Sequence, residues 1–401
     1  MKYFVTVNIP FAVDSSGQVW TDPLWAKDVE CHAGVNGGIN VVAPVHVGVR
    51  AKDWVRVTSA GVDDPSLRIR FHGVTKHESF LSALWGWRKT RCELIGAVGE
   101  ADVVQLNVSG WPLPLGWVGH FVAGQLGKPS VVVVESAPWR SATGVKGWIQ
   151  SRLFESMARR CVAGSAVSFF THAGYRDTLT PPSYPSERKH VLHASWVDEK
   201  YLLHDRVRST LPEAEPLRVL FAGRVVEAKG VRVLLDAAEK LPPSANIEIS
   251  LVGDGDLLPE CRQRADQSGG RVKVLPPKAY GDQFFDLLDR HDLLVVPSLT
   301  DEQPRVIYDA YARGLPAIAS DTAGNRDCVF PGSTGWLVPT ADPEALASSL
   351  ARLSTSRGEV DLCSKGALAY VKNRTHEAMH RQRLRVIEDV FGPKHASHSR
   401  K

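Results

Sequence analysis

The sequence predicts an α/β protein built on doubly wound parallel sheets and divided into two domains. Three observations carry that expectation. Short β-branched runs alternate with amphipathic stretches along the 401 residues. The runs are apolar at almost every position, as strands covered on both faces must be. And a chain of this length exceeds what one hydrophobic core serves, dividing into about two to three domains.

The first half carries YFVTVNI, INVVAPV, DVVQLNV, SVVVVES and AVSFFTH; the second carries RVLFAGR, IEISLVG, VKVLP, DLLVVPS and AIASD. Helix-like segments separate them, which is the βαβ pattern of a Rossmann-type sheet, and such sheets bind ligands outside the carboxyl ends of their strands. Between the two sets lies HDRVRSTLPEAEPLR, His204 to Arg218, strand-poor, charged and proline-containing, the expected linker. The expected domains are residues 1–203 and 204–374, facing each other across a cleft. After Asp342 the pattern turns helical, through PEALASSLARL, CSKGALAYV and HEAMHRQRLRVIEDVF. The last of these, about residues 375–392, is long and amphipathic and is expected to return to the first domain. The terminal KHASHSRK is polar and expected to fray.

Composition narrows the function classes. With 43% hydrophobic and 23% charged residues the chain has ordinary globular character. A net charge of +4 is far from the Lys/Arg excess that sequence-independent nucleic-acid binding needs, so nucleic acid is not an expected partner. The cysteines Cys31, Cys92, Cys161, Cys261, Cys328 and Cys363 are dispersed, without CxxC pairs, and suggest neither a zinc site nor a disulfide framework; a cytoplasmic setting is expected. No stretch approaches the roughly 20 apolar residues that span a bilayer, and MKYFVTVNIPF reads as a first buried strand rather than a signal peptide.

Three stretches carry chemistry. In LRVLFAGRVVEAKGVRVLLDAAEKL, Leu217 to Leu241, a strand ends at Gly223 and is followed by Arg224 and Lys229, ahead of a helix with Val231, Leu234, Leu235 and Ala238 on one face. Such a pair of cations suits a diphosphate, the guanidinium as a planar fork and the ammonium as a compact charge. Fixed cations there stabilise the charge that a departing phosphate gains. The plainer reading is two solvated charges on a loop. In LVGDGDLLPE, Gly253 and Gly255 begin a dinucleotide fingerprint, but Leu258 holds the third glycine position, which speaks against NAD; turning the chain explains the glycines equally well.

The third stretch is PSLTDEQPRVIYDAYARGLP, Pro297 to Pro316. Pro304 suits a first helical turn and Gly314 the position past the end, so a helix is expected from about Pro304 to Arg313. Its amino-end amides near Arg305 and Val306 favour an anion. Asp301 and Glu302 precede this helix and Asp309 lies within it; carboxylates so placed accept hydrogen bonds from two polyols, or Asp301 or Glu302 merely caps the helix.

Taken in order, GRVVEAKG, LVGDGDL and PSLTDEQPRVIYDAYARGLPAIASDTAGNRDCVFPGSTGWLVP closely resemble the donor-binding half of glycosyltransferase family 4, the retaining, nucleotide-sugar-dependent group 1 enzymes. The resemblance covers about Arg218 to Val338. It implies the two-domain GT-B architecture and a hexosyltransferase-type transfer from a nucleotide diphosphate sugar to a hydroxyl of a glycan or glycolipid acceptor, with no metal or other cofactor. The family's E-x7-E motif falls on Asp301 and Asp309, implying donor-sugar contacts for the first and a ribose contact for the second. Arg224 and Lys229 match the diphosphate-binding pair, with Gly223, Gly253, Gly255, Glu302, Arg305 and Val306 around the donor. Two departures stand out: both acids are Asp, one methylene shorter than Glu, so that Glu302 competes with Asp301 for the first role. The family's Gly-aromatic-Gly is Glu302-Gln303-Pro304, which removes one amide and leaves Arg305 to compensate.

The first half resembles the family loosely. VNIPFAVDSSGQVWTDPLWAKDVECH has a β-loop-helix layout without a glycine-rich turn, and Glu135 stands after VVVV where many members carry a histidine, making it a candidate for a polar role near the reacting sugar or a plain strand-end carboxylate. Trp20, Trp25, Trp54, Trp85, Trp87, Trp111, Trp117, Trp139, Trp148 and Trp196 all precede Lys200, and aromatic faces stack on sugars or settle at membrane interfaces. In SATGVKGWIQSRLFESMARR, Trp148, Leu153 and Phe154 are expected on one face with Arg152, Arg159 and Arg160 elsewhere, either an interfacial helix at the inner face of a membrane or an ordinary surface helix. The sequence thus predicts a retaining glycosyltransferase. A catalytically weak or inactive sugar-nucleotide or glycan-binding protein of the same fold is the alternative.

Overall fold

The computed structural model describes residues 1–46, 53–58, 60–62, 68–110, 112–137, 144–203, 214–300 and 303–392. It divides into two units, Met1–His193 with Glu377–Lys401, and Ala194–His376.

In the first unit, parallel strands run side by side in the order Lys189–Val191, Val167–Phe170, Ser130–Val134, Val103–Asn107, Tyr3–Thr6 and Ile39–His46, with Ile69–Thr75 beside the last. Phe4, Val104, Leu106, Val132 and Val134 feed the core on one face, and Tyr3, Val5, Val41, Val131 and Val133 that on the other. Consecutive strand residues point to opposite faces, so the unbroken apolar runs are what two covered faces require.

Past Ile39–His46 the sheet departs from expectation. Phe11–Val13 and Val19–Thr21 form an antiparallel pair where a simple loop was expected. The turn is made by Asp14-Ser15-Ser16-Gly17, with Gly17 at φ 78. Asp14 Oδ1 accepts from the Ser16 hydroxyl and the Ser16 and Gln18 amides, while Trp20 Nε1 donates to Oδ2 at 2.8 Å. The Ser16 hydroxyl first, then Trp20, holds this carboxyl down at about 2. Asp22 then caps the helix Pro23–Asn36, accepting from the Leu24 and Trp25 amides.

The last helix, His376–Phe391, contributes Met379 and Ile387 to the core of the first unit, and His380 Nε2 lies 3.1 Å from Asp28 Oδ1. The chain leaves the first unit at His193, ahead of the expected boundary at 203/204. The reason is packing: Val197, Tyr201 and Leu202 join Phe285, Leu288 and Ile307, and the Tyr201 and Phe285 rings stack 3.8 Å apart.

The second unit holds a six-stranded parallel sheet among the described residues, ordered Val272–Leu275, Ile247–Val252, Leu217–Ala222, Leu293–Val296, Ala317–Ser320, Gly335–Val338. Numbered along this unit, that order is 3-2-1-4-5-6, and it reverses between Leu217–Ala222 and Leu293–Val296. The loops ending those two strands therefore flank the crevice in which doubly wound sheets bind ligands. Part of the expected linker is sheet, since a strand starts at Leu217; residues 204–213 lie outside the described residues. The helices Pro343–Thr355 and Arg357–Val371 follow.

Candidate functional site

The first switch-point loop runs from Gly223 through the short turn Glu227–Lys229 to Gly230, the second from Pro297 to Arg305. They are tied together: the Leu299 amide donates to Ala228 O at 3.0 Å, and Gly230 sits so close to the second loop that a Cβ there would lie 1.8 Å from Pro297 O. Gly230 also has φ +68, a left-handed conformation that side chains resist. Its role was readable only as the last glycine of GRVVEAKG, with nothing local to say that a second loop would press against it.

Arg224 is exposed on the first loop and makes no hydrogen bond or ion pair among the described residues; Lys229 is half-buried on the same loop. Glu227, the acid between them in sequence, is engaged by Arg232 on the following helix. Glu227 is thus turned toward the following helix, and the Arg224 guanidinium makes no ion pair with it. Several other cations of this unit are matched, such as Arg218 with Asp292, Arg264 with Asp236 and Glu239, and Arg313 with Asp289. An exposed guanidinium at the carboxyl edge of a sheet can meet an anion there.

The glycines divide. Beyond Gly223 a Cβ would meet nothing within 4 Å, whereas at Gly253 it would lie 1.8 Å from Gly223 O and at Gly255 2.4 Å from Val225 O. Val225 N donates to Asp254 O at 2.8 Å and Leu257 N to Val225 O at 3.0 Å, so the turn 253–257 is pressed against the Arg224 loop. Gly253 and Gly255 thus set the height of that loop, and the side on which a Cβ would stand is filled by backbone.

On the second loop, Asp301 and Glu302 lie outside the described residues. The Thr300 Oγ1 just before them is buried without a hydrogen-bond partner among the described residues, a group that a ligand hydroxyl or phosphate would satisfy. The helix runs Val306–Ala312, shorter than expected, with Gly314 beyond it at φ 71. Arg305, expected to reach toward phosphate, is exposed with its Cζ 4.4 Å from the centroid of the Trp196 ring, a cation–π arrangement. Val306 is half-buried at the start of the helix.

Asp309 is 5% exposed, and its Oδ1 accepts from the Tyr280 hydroxyl at 2.8 Å; that hydroxyl also lies 2.9 Å from Trp196 O. Burial, and after it the negative charge of Asp309, pushes the Tyr280 phenol well above its ordinary range, so it stays a neutral donor. Gln303, at the position of the missing Gly-aromatic-Gly, is 9% exposed, accepts from the Ala194 amide at 2.9 Å and donates to the Tyr308 hydroxyl at 2.9 Å. Neither Tyr280 nor Gln303 was among the expected residues: their partners are distant in sequence and no motif marks them.

Glu135 belongs to the first unit. It stands just past the strand Ser130–Val134, half-buried, and its carboxylate makes no hydrogen bond among the described residues; only its carbonyl does, accepting from the Thr171 hydroxyl at 3.1 Å. At the carboxyl ends of neighbouring strands a recess is lined by Asn8, Pro44, Thr75, His77, Thr90 and Leu115. Of the tryptophans, Trp117 is core, Trp87 packs against the core, Trp85 and Trp148 are exposed, Trp196 belongs to the second unit, and Trp111 and Trp139 lie outside the described residues.

Residues 216–356, which contain both switch-point loops, match the family model described as Glycosyl transferases group 1. Solved structures extend the likeness to nearly the whole chain. The HepE protein of Anabaena, solved with UDP, superposes with a TM-score of 0.66 at 17% identity, over 97% of this chain and 100% of that one. Sucrose-phosphate synthase of Thermosynechococcus elongatus superposes with a TM-score of 0.71 at 15% identity, over 98% and 99%. The fold is GT-B, with two Rossmann-like units. Among curated sequences, an amylovoran biosynthesis glycosyltransferase of Erwinia amylovora is 30% identical over 218 residues, 51% of either chain. A GDP-mannose-dependent alpha-mannosyltransferase of Mycobacterium tuberculosis is 27% identical over 283 residues, 66% of this chain and 68% of the other. The chain spans about half the length of most of the curated relatives it matches.

Proposed function

We propose that this chain is a group 1 glycosyltransferase that moves a sugar from a nucleoside diphosphate sugar to a hydroxyl acceptor, with retention at the anomeric carbon, in the synthesis of a cell-envelope glycan or glycolipid. The observation that carries the reading is the Arg224 loop: an exposed guanidinium with no hydrogen bond or ion pair among the described residues, clamped beside the second switch-point loop inside the segment that matches the family. Arg224 and Lys229 hold the diphosphate and stabilise the charge it gains as it leaves. Asp301, or Glu302 beside it, orients the donor sugar, and Asp309, kept in place by Tyr280, serves the ribose. The acceptor is received by the first unit, where Glu135 is its polar neighbour. Substitution on one face of the sugar needs no protein nucleophile and, with cations already in place, no metal. The chain works in the cytoplasm, where nucleotide sugars are made.

The competing reading, a nucleotide-sugar-binding protein without turnover, draws on the burial of Asp309 and its hydrogen bond to Tyr280, which would then be a structural contact. Nucleoside diphosphate release, measured over a panel of donors with and without added acceptors, separates the two. Acceptor-dependent release that collapses in Arg224→Ala is expected; donor binding, seen as thermal stabilisation of up to about 2.7 kcal/mol at 100 times the dissociation constant, without any release would overturn the catalytic reading.

A further inference from the structure

Large apolar side chains are bare on two helices of the first unit. Phe80–Trp85 exposes Leu81 (66%), Leu84 (53%) and Trp85 (88%); Gly144–Ala163 exposes Val145 (79%), Trp148 (60%), Ile149 (58%) and Leu153 (45%). The helices adjoin, for the Phe80 and Phe154 rings lie 6.4 Å apart, and each ring is next in sequence to one of the bare leucines. At about 100° per residue, Val145, Trp148, Ile149 and Leu153 fall on one half of their helix and Phe154 on the opposite half. Phe154, Ala158 and Cys161 are indeed buried in the core. The expected grouping of Trp148, Leu153 and Phe154 on one face is thereby corrected: the helix carries two apolar stripes, one covered by the protein and one left bare.

Cations border the bare stripe. Arg152 lies over Trp148, its Cζ 5.5 Å from the ring centroid, on the same face rather than elsewhere. Arg88 and Lys89, just beyond Trp85, are exposed and make no hydrogen bond or ion pair among the described residues. The nearby acids are occupied, Glu155 by Arg159 at 2.9 Å and Glu78 by Lys76 at 2.9 Å. The surface therefore combines two indoles, branched aliphatic groups and uncompensated positive charge. A second copy of the chain would set those cations against one another. Indoles and aliphatic groups settle in the headgroup layer of a bilayer, and Lys or Arg beside them gain from anionic phospholipid.

We propose that this face docks on an anionic phospholipid membrane, with Trp85, Trp148 and Ile149 entering the headgroup layer and Arg88, Lys89 and Arg152 meeting lipid phosphates. The docking does not depend on the donor site. Flotation of the full chain with phosphatidylcholine vesicles, and with vesicles that also contain phosphatidylglycerol, tests it. Binding to the anionic vesicles, weakened by salt, is expected. Combining Trp85→Ala, Trp148→Ala and Ile149→Ser is expected to lower it at least about tenfold, and Arg88→Ala, Lys89→Ala and Arg152→Ala about five-fold each on anionic vesicles with little change on neutral ones. All these side chains are exposed, so the variants keep the parent melting temperature, and Arg224→Ala binds vesicles as the parent does. No flotation of the parent, flotation unchanged in the tryptophan variant, or sedimentation showing that this variant instead dissociates a dimer would each overturn the proposal.

Discussion

In the second unit the loops that end the central strands are drawn together by backbone: Leu299 N bonds to Ala228 O, and Gly230 and Gly253 each stand where a Cβ would come within 1.8 Å of a carbonyl oxygen of the adjacent loop. In the first unit the parallel strands give way to the antiparallel pair Phe11–Val13 and Val19–Thr21 at one side, and the helices carry bare Trp85 and Trp148. The same βαβ construction thus serves two ends. One sheet edge is closed down by backbone, with Arg224 exposed on it; the other unit turns apolar residues outward. Positions of the first kind are intolerant of added atoms, and those of the second tolerate them while losing an interaction.

That contrast can be broken experimentally. The largest effect is expected from Arg224→Ala, which removes a fixed cation from the leaving group and should lower kcat/KM for donor turnover by about a hundredfold to a thousandfold with the melting temperature unchanged; a loss below tenfold would leave the loop a surface feature. Gly230→Ala forces a side chain into a left-handed conformation and into Pro297 O, and should cost at least about 2 kcal/mol in denaturant unfolding. If the protein tolerates it, the two loops are not clamped. Tyr280→Phe deletes the donor to buried Asp309 and is expected to cost about 1–2 kcal/mol, with weaker donor affinity if Asp309 meets the ribose.

The smallest effect concerns thiols. Cys92 is exposed, whereas burial pushes the thiols of Cys161 up to about 12 and of Cys363 up to about 11, and raises Cys328 further. A raised thiol pKa leaves almost no thiolate at neutral pH, and the fraction grows only as pH rises toward those values. Alkylation of the native protein at neutral pH followed by peptide mapping should therefore mark Cys92 and spare these three.

Much of the fold could be read because parallel strands announce themselves. LLVV, SVVVV and VSFF have no other comfortable place than between two covered faces, and they are strands at Leu293–Val296, Ser130–Val134 and Val167–Phe170. Gly314 was readable for the same reason, since only its left-handed φ explains a glycine after a helix that starts near a proline. What escaped depends on partners far off in sequence. Nothing near Asp309 tells that Tyr280 will reach it, and nothing near Gln303 tells of the Ala194 amide. The Asp-Ser-Ser-Gly turn was a local signal passed over, because the strands it joins are only three residues each. The Arg224 loop was legible as cations after a strand; that Glu227 would turn to Arg232 rather than to Arg224 was not.

The closing helix, His376–Phe391, carries its own consequence. Met379 and Ile387 fill a core whose other members lie before Leu192 or at it, so ribosomal synthesis delivers the final piece of the first unit only after the whole second unit has emerged. Until then the early half of the nascent chain waits with an uncovered apolar flank. A premature stop just ahead of His376 would spare every residue of the donor loops and yet leave that flank permanently open to chaperones and proteases.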